Sequence, residues 1–292
     1  MPPLNMIKIL GHVKFLSHGL KLPTDSDWKQ PQGDPDAPQY GDALTPQQKI
    51  AIPKLIPPFF MPQNMNKLHQ QSCDDIGSEM KKFHDTMLDA VKFSHSMWKL
   101  QAKFDGLKVM AVCAIGSPGC LKGPSLESNI KNFPGCAAFT GNMKKWRDAV
   151  AKGVAKCFKD WQDQVMVPGL PWYPAFAAFP GPQAPPMPNV PMPLIACISS
   201  KMTQIMMPNP MKDEMVKALD GGLKDKDPDK QHVALFDSIA TVLALAFTIW
   251  LPSQQVMLVM GKGPIPTFAP PYVPVGPVVA GDNIAVPGHL MA

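Results

Sequence analysis

Two stretches of this chain repeat one another at a fixed offset, and that repetition limits the possible folds more than any other feature. Met80-Lys81-Lys82-Phe83-His84-Asp85 aligns with Met143-Lys144-Lys145-Trp146-Arg147-Asp148, an offset of 63. The register holds without a gap: Val91 matches Val154, Trp98 matches Trp161, Gln101 matches Gln164, and Gly106-Leu107 matches Gly169-Leu170. A third copy follows, because Trp250 lies 13 residues after Asp237, as Trp98 does after Asp85 and Trp161 after Asp148. Its apolar positions Ile239 and Leu243 correspond to Met87 and Val91 in the first copy and to Val150 and Val154 in the second. Three residues before each tryptophan stand His95, Phe158 and Phe247. Spacings of four, seven and eleven bring such residues onto one helical face, so each copy is expected to hold an amphipathic helix with its tryptophan in the core. Gln255-Val256 reads as an echo of Gln101-Ala102 and Gln164-Val165 after a two-residue slip at Leu251-Pro252. Asp85, Asp148 and Asp237 are expected to favour helix starts, by capping or through the dipole.

Behind each helix comes a tract rich in proline and glycine. The first runs from Ala114 to Pro124, the second from Pro168 to Pro193 and the third from Gly261 to Pro287. Proline makes up 35 of the 292 residues, against an average near 5%. It fixes φ and removes backbone donors, so these tracts are read as extended, irregular arms. The expected class is therefore mainly α: three diverged helix-plus-proline-rich-arm repeats with an extended leader. The copies could surround a pseudo-threefold axis or line up side by side. The divisions are 1–73 (leader), 74–135 (first repeat), 136–207 (second) and 208–292 (linker helix and third). In the leader, Thr45-Pro46 is read as starting a short helix to Ile52. In the linker, Met211–Leu219 is read as a helix stopped by Gly221-Gly222. Gly261–Ala292, with seven prolines, is expected to dock on a partner, so that its deletion leaves a folded body.

Charge and motif content narrow the function classes. The net charge of +5 is almost all lysine, since Arg147 is the one arginine. Readers of nucleic acid rely on arginine for bidentate contacts, so none is expected. Gln164–Ser200 carries no Asp, Glu, Lys or Arg, and such tracts need covering by the core or by a partner. Phe59, Phe60, Trp172, Tyr173, Phe268 and Tyr272, set among prolines, are the candidate partner contacts. Cysteines 73, 113, 120, 136, 157 and 197 form no C-x-x-C pair, which favours reduced, buried thiols over zinc. Cys113 with a histidine would suit a nucleophile pair, but nothing supplies a third member. No phosphate loop, dinucleotide fingerprint, HExxH or GxSxG pattern occurs, so no catalytic residue, cofactor or metal site is expected. The apolar run Ile239–Leu251 is shorter than the ~20 residues of a membrane span and reads as a core helix.

With a helical core, proline arms, low charge and no catalytic motif, the chain resembles virion structural proteins of tailed bacteriophages, of the tail, hub or baseplate. The resemblance implies a non-enzymatic role among structural partners, some threefold-symmetric, in a particle assembled in host cytoplasm. The segment Gly276–Asp282 followed by Pro287-Gly288-His289 resembles spike-tip proteins of contractile injection machines. The rest departs from that β-rich family, and its metal-binding histidine is not carried over. Two rival readings are a membrane-associated scaffold inserting residues 239–251, and an adaptor whose proline arm engages aromatic grooves.

Overall fold

Each aspartate-to-tryptophan segment is helical, and each helix begins well before its aspartate. A computed structural model describes residues 4–17, 65–110, 112–173, 182–227, 230–265 and 278–291. The three helices are α2 (Met65–Gln101), α5 (Gly141–Asp163) and α9 (Gln231–Ser253). The chain forms two units, residues 1–17 with 85–292, and residues 18–84. The described part of the smaller unit is the first stretch of α2, up to His84. Between and before these helices lie α1 (Leu4–Ser17), α3 (Leu126–Lys131), α4 (Pro134–Ala137), α6 (Thr203–Met206), α7 (Pro208–Ala218) and α8 (Gly221–Lys224).

The aspartates stand inside their helices and not at the starts, contrary to the sequence expectation. Asp85 meets His12 at 2.7 Å, Asp148 meets Arg147 at 2.7 Å, and Asp237 meets Lys14 at 3.4 Å. At the start of α9 the capping carboxylate is Asp227, which accepts the backbone N–H groups of Gln231 (3.0 Å) and His232 (2.8 Å). Burial opposes a charge on Asp227, yet these hydrogen bonds and the His232 ring hold its carboxyl below the usual carboxylate range. The helix α1, which no periodicity announces, buries Ile7 and Phe15 and leaves Ile9, Leu10 and Val13 exposed.

The expected mainly-α class is wrong, because the arms are not irregular. After α2 come β1 (Lys103–Phe104), β2 (Lys108–Met110), β3 (Cys113–Gly116) and β4 (Leu121–Lys122). After α5 come β5 (Val165–Pro171), β6 (Gln183–Pro188), β7 (Met192–Pro193) and β8 (Ile198–Ser199). After α9 come β9 (Gln255–Val256), β10 (Met260–Pro264), β11 (Gly281–Asn283) and β12 (Leu290–Met291). The molecule is mixed α/β, with an antiparallel sheet ordered β6-β10-β11-β2-β3-β5-β8 and smaller sheets β1-β4 and β12-β9-β7. Proline is tolerated here because it sits where a ladder loses little. The strands β6 and β7 are sheet edges, and Pro168 lies where the β3–β5 register shifts. The arm from Gly261 pairs with this chain's own strands, since β10 joins β6 and β11, β11 joins β2, and β12 joins β9. Its described residues are thus docked within the molecule.

Helix α7 crosses α5 closely at Gly153, where an added Cβ would come within 2.7 Å of the Met215 backbone nitrogen. The crossing buries Met211 and Met215 completely. Valine at position 153 must push α7 away, so Gly153→Val is expected to lower stability by about 1–3 kcal/mol, the usual cost of overpacking. Urea unfolding of the two proteins measures it.

Candidate functional site

The three helices meet in an aromatic layer. The ring centroids of Trp98, Trp161 and Trp250 are separated by 6.2, 6.0 and 6.0 Å, nearly an equilateral triangle. One turn earlier, Phe158 and Phe247 lie 5.5 Å apart and His95 lies 5.9 Å from each. All six rings are buried, as a shared helical face requires. The Trp98 indole N–H donates to Gln162 Oε1 at 2.7 Å, whereas the indole nitrogens of Trp161 and Trp250 have no hydrogen-bond partner among the described residues.

Beyond the tryptophans the strands link the three parts in cyclic order. Strand β3 of the first part pairs with β5 of the second, placing Gly116 opposite Val167 and Ala114 opposite Leu170. From the second part, Asn189 reaches the third, donating to Val256 O (2.9 Å) and accepting from Val259 N–H (3.0 Å). From the third, Asn283 reaches the first in the same way, donating to Phe104 O (2.9 Å) and accepting from Leu107 N–H (2.9 Å). The residue pairs receiving these contacts keep the offsets of the tryptophans. A second set of contacts follows the same order: Cys120 Sγ to Val165 O, Leu194 N–H to Gln254 O, and Gly288 N–H to Ala102 O. The two-residue slip read at Leu251-Pro252 is therefore absent, and Gln254, not Val256, occupies the place of Ala102 and Val165.

One backbone position supports the same correspondence by strain. Leu258 has φ of 57°, and Gly106, its counterpart in the first part, has φ of 74°. The left-handed region costs a leucine ~1–2 kcal/mol, and its half-exposed side chain recovers little of that. Leu258→Gly is expected to raise stability by about 0.5–1 kcal/mol once the looser unfolded glycine is counted. Leu258→Ala, which keeps the strain, is expected to give no gain in thermal melting.

The remaining sequence candidates divide plainly. Val91, Val154 and Leu243 are core residues, Gln101 is exposed, and Gln164 Oε1 accepts from Ser200 Oγ at 3.3 Å. Trp172 is buried rather than presented to a partner; its indole N–H donates to Met187 O (3.0 Å), and it covers Gly261. Tyr173 is 46% exposed. Phe59, Phe60, Phe268 and Tyr272, and the short helix read at Thr45–Ile52, lie outside the described residues. Sequence reasoning missed Asn189 and Asn283. A signal existed, since Pro118, Pro191 and Pro287 each stand three residues before a leucine (Leu121, Leu194, Leu290) and follow the linking residues closely.

Exposed apolar side chains occur on helices, as at Leu100 and Ile249, and on strands alike. Met110, Val112 and Tyr173 sit at the ends of β2–β3 and β5, where Trp172 N–H donates to Val112 O at 2.6 Å. Ile198 and Met291 are exposed on the outer strands β8 and β12. The lone arginine is not available to phosphate: its guanidinium is buried, held by Asp148 and Cys136 O. Burial pushes the thiols of Cys120 and Cys136 up to about 11 and those of Cys157 and Cys197 up to about 12. Thiols so placed stay protonated and are poor nucleophiles. No protein-family model, curated protein or solved structure matches the chain.

Proposed function

We propose that the chain is a non-enzymatic structural component of a large assembly, of tail, hub or baseplate kind in a tailed bacteriophage, where it joins or plugs symmetric neighbours. The observation that carries this is the cyclic closure of three corresponding helix-and-strand parts within one polypeptide. Such a monomer offers three similar surfaces in rotation, which is what a threefold-symmetric neighbour can meet with three equivalent subunits. The strand half suits docking, because the second part has no charged residue from Gln164 to Ser200 and exposes Met166, Tyr173 and Ile198. Uncharged exposed apolar side chains of this kind favour burial against a partner.

The membrane-associated reading has weaker support. Helix α9 is long and apolar enough to cross a membrane, but 61% of its most apolar window is buried inside the protein. The adaptor reading is weaker too, because Val165–Pro171 and Gln183–Pro188 are paired strands rather than a free proline ligand. Purification of particles containing a tagged chain, followed by counting of copies per particle, tests the proposal. A fixed low copy number beside a multiple of three neighbour subunits is expected. A chain that floats with liposomes and enters no particle would overturn it.

A further inference from the structure

His95 is the odd member of its layer: the equivalent places hold Phe158 and Phe247, and the ring is fully buried with neither nitrogen hydrogen-bonded. Four aromatic rings surround it, Trp250 closest with centroids 4.4 Å apart and planes at 86°. The second and third helices face it with Phe158, Phe247 and Trp250, none of which titrates. The described charge acting on it, Lys99 on its own helix, is cationic. Among the described residues no carboxylate is a source of charge on the ring, and no acceptor receives its N–H groups. We infer that His95 is an acid-sensitive joint in the helical core, and that proton uptake by its ring favours the state in which α2, α5 and α9 have separated.

The direction follows from linkage. Burial above all, with Lys99 acting in the same direction, lowers the His95 pKa from 6.5 to about 3. Between those limits the unfolded chain binds the proton and the folded chain does not, so stability is fully present above pH 6.5 and is lost as pH falls. From pH 7 to 4.5 the folding constant should drop roughly a hundredfold through this one group. His289 contributes in the same sense, since burial and then Lys103 lower its pKa to about 4. Its effect cancels when variants at position 95 are compared.

The test is urea unfolding of the full chain at pH 7 and 4.5, for the wild type, His95→Phe and His95→Gln. Phenylalanine copies the other two parts, and glutamine is polar without titrating. Both variants should lose roughly a hundredfold less of their folding constant on acidification than the wild type does. Equal losses in all three proteins would overturn the inference. A carbon-13 titration of the wild-type imidazoles gives a second reading that needs no variant. The His95 signal should stay neutral in the folded protein down to pH 4.5, and a folded-state midpoint near 6.5 would also overturn it.

Discussion

Deletion of residues 261–292 is expected to leave a chain that does not fold, with no cooperative thermal transition and rapid proteolysis. On sequence grounds the opposite was expected, because seven prolines in 32 residues look incapable of regular pairing. The described parts of this segment instead supply most of β10 and all of β11 and β12, and they bury Ile265, Val278 and Leu290. Each such side chain is worth about 1.5–3 kcal/mol, so the sum is comparable to the whole stability of a typical domain, roughly 5–15 kcal/mol. The deletion also removes Asn283 and Gly288, whose hydrogen bonds return the third part to Phe104, Leu107 and Ala102. A finer variant isolates that closure. Asn283→Ala strands one buried N–H and one carbonyl at about 1–3 kcal/mol each, and should lower the urea midpoint without changing the slope. A truncated chain that melts cooperatively within a few degrees of the full one would show that the arm is dispensable to the fold.

Trp98→Ala is expected to cost about 3–5 kcal/mol, the range for emptying a large aromatic site in a packed core. The indole contacts His95, Phe158, Trp161 and Trp250 at once, so no single neighbour can collapse into the space. Trp98→Phe separates packing from polarity. It keeps a ring in the layer but leaves Gln162 Oε1 without the indole N–H, at about 1–3 kcal/mol. The tight approach of Gly123, where a Cβ would lie 2.2 Å from the Trp98 indole nitrogen, implies that Gly123→Ala should resemble a mutation of the tryptophan itself. Near-ultraviolet circular dichroism with urea melts reads all three. A Trp98→Ala protein as stable as the wild type would contradict the aromatic layer as the centre of the core.

The helices were legible because burial on one face imposes a period that sequence displays directly. Val150, Val154, Phe158 and Trp161 state the buried face of α5, while Lys156–Asp160 and Lys159–Asp163, each at 2.7 Å, state its wet one. The strands were not legible, since most hold only two to four residues, and where burial alternates, as in β5, the exposed positions Met166 and Pro168 are not polar. Their prolines also argued against pairing, and the escape routes of sheet edge and register shift are properties of the assembled sheet. The asparagines were missed for a related reason. One side-chain amide at position 189 or 283 does what a strand does in the first part, so chemistry was kept where residue type was not. Helix α1 was hidden because its apolar residues point both inward and outward, which blurs the period.

In the role proposed above, one chain presents three corresponding surfaces around an axis to a threefold neighbour. A single-particle reconstruction of the purified assembly, computed without imposed symmetry, tests it most directly. One copy on a threefold axis is expected, with the strands of its three parts each against an equivalent neighbouring subunit. Three copies arranged around that axis, or a single copy sitting away from it, would rule out the proposed role.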